Sequence, residues 1–131
     1  AYYSLHDRFD LIYMLSVYTH TPAGFMANHL RLVNKALKHG GVCLFTTCGP
    51  ISANTLEQYG QSWLDKDVVL DTLAEHGFCF MQYPHYRETY GMTWCSQDYV
   101  EKAIADAGLS LVNYIPAGHG GHQDVFVVQK A

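Results

Sequence analysis

The stretch Phe9 to His20, FDLIYMLSVYTH, constrains the fold of this chain more than any other. Phe9, Leu11, Ile12, Tyr13, Met14, Leu15 and Val17 form a nearly continuous apolar run. That pattern predicts a strand covered on both faces, as in a parallel sheet with helices above and below. Ser16, Tyr18, Thr19 and His20 arrive together where such a strand should end. Thr21-Pro22 then predicts a helix start, with Thr as N-cap and Pro in the first turn. Open α/β sheets bind ligands outside the carboxyl ends of their strands, so Ser16 to Thr21 is the first place to expect chemistry.

The following helix is expected to run to around Lys38, with Met26, Leu30, Val33 and Leu37 on one apolar stripe and Gly40-Gly41 as its stop. Val42 to Thr47 reads as a second buried strand that also turns polar at its end, through Thr46, Thr47, Cys48, Gly49 and Pro50. Two such strands joined by a helix make a βαβ unit with a right-handed crossover. Ile51 to Trp63 reads as irregular. Asp65 to His76 reads as a helix, with Val69, Leu73 and Ala74 inward and Gly77 ending it. Phe78 to Thr93 is expected to leave the sheet as an excursion with two short strands. Ser96 caps a helix carrying Val100, Ala103, Ile104 and Ala107 on one face, closed by Gly108. Leu109 to Ile115 and Gln123 to Gln129 read as strands joined by a Gly-rich turn, hence antiparallel, with Asp124 fixing the turn.

With 131 residues, 49% hydrophobic and 15% charged, the chain suits one domain with one core rather than a disordered segment. A net charge of −4 without a Lys/Arg cluster argues against a nucleic-acid surface. No signal peptide or membrane-length apolar run is visible, and Cys43, Cys48, Cys79 and Cys95 form no Cys-x-x-Cys pair. A cytoplasmic protein with reduced thiols is the expectation. His119 and His122 are a weak metal motif, because a structural zinc site needs four ligands, and no metal is expected.

The run FDLIYMLSVYTH, followed by a helix and LVNKALKHGGVCLFTT, resembles the class I S-adenosylmethionine-dependent methyltransferases. The family's fourth strand reads like FDLI, and its next helix ends much as Leu37-Lys38-His39-Gly40-Gly41 does. YGMTWCSQDYVEKAIADAGL resembles the helix entry before the sixth strand, and VNYIPAGHGGHQDVFVVQK the sixth and antiparallel seventh strands. The resemblance covers nearly the whole chain, yet only the C-terminal half of the family's domain. The Gly-rich turn and the acidic strand end that hold the methyl donor have no counterpart.

The resemblance implies an α/β, Rossmann-like fragment: a mixed sheet of about four strands in the order 4-5-7-6 of the family's count, with flanking helices. Residues 1–131 form a single domain in this reading, with 51–95 as an excursion or lid. It implies S-adenosylmethionine as cofactor, with Leu15, Ser16 and Val17 near it and His20 near the transferred methyl. Tyr18, Thr46 and Thr47 would shape the acceptor pocket at the strand ends. Tyr59, His85, Tyr86, Arg87 and Tyr90, together with Tyr83, form an aromatic, polar-tipped set suited to an acceptor wall. Each of these also has a plainer reading, as a strand cap, a turn hydroxyl or excursion packing.

Two functions are carried forward. One is a methyltransferase-like domain acting on a small-molecule oxygen or nitrogen, incomplete and inactive as the isolated chain. The other is a non-catalytic assembly module. The Phe9 to Ser16 strand would lose a neighbour and become an apolar edge, which favours pairing with a second copy or with a chain carrying the missing half. Nucleotide binding through another Rossmann-like site is disfavoured, because no Gly-rich strand-to-helix turn is present.

Overall fold

The computed structural model describes residues 4–59 and 62–131, apart from the side chain of Tyr59. Among them, six strands form one mixed sheet: β1 (Phe9–Met14), β2 (Leu37–Cys48), β3 (Phe78–Gln82), β4 (Gly91–Cys95), β5 (Leu109–His119) and β6 (Gln123–Lys130). Four helices accompany them: α1 (Phe25–Ala36), α2 (Pro50–Asn54), α3 (Lys66–His76) and α4 (Gln97–Asp106).

β2 is the centre of the sheet. β1 runs parallel to it, with Leu11 opposite Val42 and Met14 opposite Phe45. On its other side β6 runs antiparallel, from Val42 opposite Gln129 to Cys48 opposite Gln123. β5 closes that side, antiparallel to β6. The order β1-β2-β6-β5 is the expected one. The excursion adds to it: β3 and β4 form an antiparallel hairpin, and β4 joins β2 through a parallel bridge at Cys48 and Trp94, beyond the end of β1.

The main core lies between the sheet and the pair α1 and α4. Leu30, Val33, Phe45, Val100, Ile104, Phe126 and Val128 are buried together there. Phe45 stacks on Phe126 at 5.5 Å, and Tyr18 meets Phe45 edge-on at 5.3 Å. A second cluster, with Ala53, Leu56, Val69, Leu73, Cys79 and Trp94, packs α2 and α3 against the hairpin. Caps fix the helices as their sequences suggest. Asp65 accepts from the Asp67 and Val68 amides, Ser96 accepts from Tyr99, and Gly77 closes α3 in the left-handed region that favours glycine.

Several expectations give way. Helix α1 starts at Phe25 after Gly24, not at Pro22. Thr21 stays extended because its carbonyl accepts from the Thr93 hydroxyl, while its own hydroxyl bonds to the Tyr18 carbonyl. The helix also ends at Ala36, so Gly40 lies inside β2, at a positive φ, rather than capping a helix. The segment 51–63 contains α2 and a short 3-10 turn, Leu56–Tyr59, because Pro50 opens a helical turn there. Ala74 faces outward. Asp124 does fix its turn: its buried carboxylate accepts from the Ala117 amide at 2.9 Å and the Tyr114 hydroxyl at 3.2 Å.

β1 is not covered on both faces. Ile12 and Met14 pack on the core, but Leu11, Tyr13 and Leu15 are 59, 69 and 46% exposed. The helices α1 and α4 cover one face of the sheet, and among the described residues nothing covers the other face at β1. Open apolar grooves of about 490 and 590 Å³ flank the strand on its two sides. Among the described residues no helix is long and apolar enough to cross a membrane.

Candidate functional site

β1 ends abruptly because Ser16 adopts a left-handed conformation, φ 58°, uncommon for a residue with a side chain. A polar bracket holds it there. The Ser16 amide donates to Thr46 Oγ1 at 2.9 Å, and Thr46 Oγ1 donates to Gln123 Oε1 at 2.7 Å. Gln123 Nε2 donates to Ser16 Oγ at 2.9 Å. Three strands therefore meet at one turn. Thr19 donates back to the Ser16 carbonyl, and a short 3-10 turn over Tyr18–His20 delivers His20 to the carboxyl ends of β1 and β2.

His20 is gripped by the hairpin. Its Nδ1 lies 2.9 Å from the Gly91 carbonyl and 3.3 Å from the Tyr83 hydroxyl. Tyr90 and Tyr83 lie over the ring, with centroids at 5.6 and 6.0 Å. A side chain at Gly91 would collide with the Met81 carbonyl, so only glycine lets the two hairpin strands close and present that carbonyl. A carbonyl oxygen can only accept. Nδ1 therefore carries the proton, and in the neutral ring Nε2 keeps its lone pair.

Beside His20 is a cavity of about 230 Å³, lined by Thr19, Cys48, Ser52, Tyr83, Met92 and Gln123 among others. None of its described lining residues is Asp, Glu, Lys or Arg. Burial, with the neighbouring Tyr90 and Cys48, raises the Tyr83 phenol above its ordinary value. Burial pushes the Cys48 thiol up to about 11, so it stays protonated and is no nucleophile at neutral pH. Cys43, Cys79 and Cys95 are buried free thiols with pKa values raised for the same reason.

The expected site residues fall into groups. His20 lines the cavity, Ser16 and Thr46 build the turn behind it, and Leu15 and Val17 flank Ser16 as exposed apolar surface. Tyr18, expected at the acceptor, is a core residue instead: it is fully buried, and its hydroxyl lies 2.9 Å from His29 Nδ1. The 3-10 turn sends its ring into the core while His20 lines the cavity. Thr47 is also buried away from the cavity lining, because alternation along β2 sends it to the face opposite Thr46 and Cys48.

Tyr90 lies tilted against the His20 ring behind the cavity, and His85, Tyr86 and Arg87 sit exposed at the hairpin tip; none of the four lines the cavity. The Tyr59 side chain lies outside the described residues. His122 lines the cavity while His119 lines the groove along β1, and no group of three or more possible metal ligands gathers among the described residues. Gln123, Ser52 and the Gly91 carbonyl are the functional groups that sequence reasoning missed. The only available signal was the polar start of the last strand, Gln123-Asp124.

No protein-family model and no curated protein matches the sequence. Solved structures do match in fold. A methyltransferase dependent on S-adenosylmethionine from Methanosarcina mazei superposes with a TM-score of 0.63 at 17% identity, over 98% of this chain and 62% of that one. A Burkholderia thailandensis 1,6-didemethyltoxoflavin-N1-methyltransferase, with bound 1,6-didemethyltoxoflavin and S-adenosylhomocysteine, gives 0.62 at 12% identity, over 96% and 45%. The (4+2)-cyclase SpnF gives 0.57 at 12% identity, over 99% and 53%. This chain thus has the class I methyltransferase fold and spans less than two thirds of each of these proteins.

Proposed function

We propose that this chain forms the acceptor side of an S-adenosylmethionine-dependent methyltransferase acting on a small molecule, with His20 as its general base. The fold alone does not select that reaction, since a cyclase shares it. The observation that carries the reading is the His20 ring. Its Nδ1 proton is committed to the Gly91 carbonyl, which leaves the Nε2 lone pair free on a ring that lines a cavity of small-molecule size. From there Nε2 takes the proton of an acceptor hydroxyl or amine, and the backbone carbonyl steadies the imidazolium that forms. Tyr90 and Tyr83 hold the ring's orientation, and the Ser16–Thr46–Gln123 bracket holds its height.

The described residues do not make a cradle for the methyl donor. Leu15 and Val17 offer exposed apolar surface beside Ser16, but the sequence has no Gly-rich strand-to-helix turn there, and the groove beside Leu15 is lined by no Asp or Glu to grip a ribose or an amino-acid group. The donor side is to be supplied by chain that covers β1, either from the same reading frame upstream of Ala1 or from a partner. The test is methyl transfer by the polypeptide extended upstream, with tritiated S-adenosylmethionine and a panel of small phenols and amines. His20→Gln should lower the rate about 10²–10⁴-fold with little change in fold. An unchanged rate would remove His20 from the chemistry.

A second reading, an assembly module without catalysis, is favoured by one observation: the edge of β1 is free among the described residues and its outer face is apolar and exposed. The two readings share the prediction that β1 is covered by a second copy or by another chain. They part at the cavity, which an assembly module would leave unused.

A further inference from the structure

We infer that the His20 cavity selects an uncharged, single-ring acceptor that carries its reactive hydroxyl beside a second oxygen. The inference rests on the methyl-acceptor reading and narrows it to a substrate class. Three observations converge. First, the described lining holds no fixed charge of either sign: Thr19, Cys48, Ser52, Leu56, Met92 and Gln123 surround the two histidines and Tyr83. A carboxylate, phosphate or ammonium on the ligand would lose its water there without gaining a counter-charge.

Second, the hydrogen-bonding groups have assigned directions. His20 Nδ1 gives its proton to Gly91, so Nε2 can only accept, which calls for a ligand hydroxyl. The Tyr83 oxygen faces that same Nδ1–H, at 3.3 Å, and so can only accept from it. The phenol's own proton is thereby left for another acceptor, and the raised pKa keeps that proton in place. Gln123 behaves likewise. Its Oε1 takes the Thr46 proton, one Nε2 proton goes to Ser16, and the second Nε2 proton has no partner among the described residues. His20, Tyr83 and Gln123 thus offer one lone pair and two donors, a pattern met by a hydroxyl next to a carbonyl or a second hydroxyl.

Third, the size is small. A cavity of about 230 Å³, walled on one side by the Tyr83 ring, which is backed by Tyr90 at 4.9 Å, suits one planar ring with its substituents.

The test is a ligand titration of the isotopically labelled chain, followed by two-dimensional NMR at about pH 7.5, where ordinary imidazoles are mostly neutral. Three ring-sized probes are compared: ortho-hydroxyacetophenone, neutral; salicylate, its anionic counterpart; and tyramine, a cation. The neutral probe should shift His20, Tyr83 and Gln123 and bind at least tenfold more tightly than either charged one. Tyr83→Phe should weaken the neutral probe several-fold, and Met92→Lys should reverse the preference toward salicylate. Equal or tighter binding of salicylate or tyramine to the unaltered chain overturns the inference. So do shifts that map away from the cavity, or no shifts with any probe. Binding is read without a methyl donor, so failure here is separate from failure of methyl transfer: an extended enzyme that methylates a charged acceptor would keep the reaction and discard this selectivity.

Discussion

His29 shows how a single side chain makes this fold sensitive to pH. It stacks on Phe25 at 5.3 Å, meets Tyr18 edge-on at 5.7 Å and shares a 2.9 Å hydrogen bond with the Tyr18 hydroxyl. Burial holds its pKa below the ordinary imidazole value of 6.5, so the unfolded chain takes up the proton first as the solution is acidified. Stability from this residue is therefore complete above that ordinary value and is lost as pH falls through the lower, folded one. Urea unfolding between about pH 7.5 and about pH 5.5 should show falling stability, with a shallower fall in His29→Gln. Parallel slopes for the two proteins would show that His29 contributes nothing. At this scale the sequence was only half legible. Ser16, Thr46 and His20 announced themselves as polar residues at the ends of apolar runs. Tyr18, one residue from that group in type and place, turned out to be core, because a 3-10 turn changes which way successive side chains face. Gln123 gave no such sign, since its partner Ser16 is 107 positions away and only the sheet brings them together.

Elements show the same split for a different reason. α3, α4, β5 and β6 were readable because their stop and start signals are local: Asp65 and Ser96 at N-caps, Gly77 and Gly108 after the last turn. α1 was misplaced at both ends, because long-range contacts outweigh the cap chemistry. The Thr93 hydroxyl keeps Thr21 extended, and pairing with Phe9 draws Leu37 into β2. The turn after β1 is the element on which the site depends, and Gln123 is its keystone. Gln123→Leu leaves the Thr46 hydroxyl without its acceptor and Ser16 Oγ without its donor. The expected cost is about 1–3 kcal/mol in thermal or urea unfolding. Faster amide hydrogen exchange from Ser16 to His20 should accompany it. Loss of stability without local loosening would mean that Gln123 supports the core and not the turn.

For the whole molecule, the exposed face of β1 is the dominant feature. The apolar run suits a strand buried on both faces. The described chain provides cover for only one of them, because α1 and α4 lie on the same side of the sheet. An apolar edge with open grooves beside it is expected to associate. In sedimentation at micromolar concentration the chain should run as a dimer or larger, and Leu11→Lys with Tyr13→Lys should return it to monomer. A monodisperse unaltered monomer would contradict this. The order β1-β2-β6-β5 and the two short strands after Phe78 were legible from the sequence of elements; that these strands join the sheet through β4 and lean on His20 was not. What covers β1 was not, since nothing within these residues encodes it.

The central claim is that this chain carries the acceptor side of a methyl-transfer site without the donor's cradle. Titration calorimetry with S-adenosylmethionine addresses it most directly, comparing this chain with the upstream-extended polypeptide. The account predicts no measurable heat of binding for this chain at micromolar concentrations and saturable binding once the extension is present. Micromolar binding by this chain alone would contradict it.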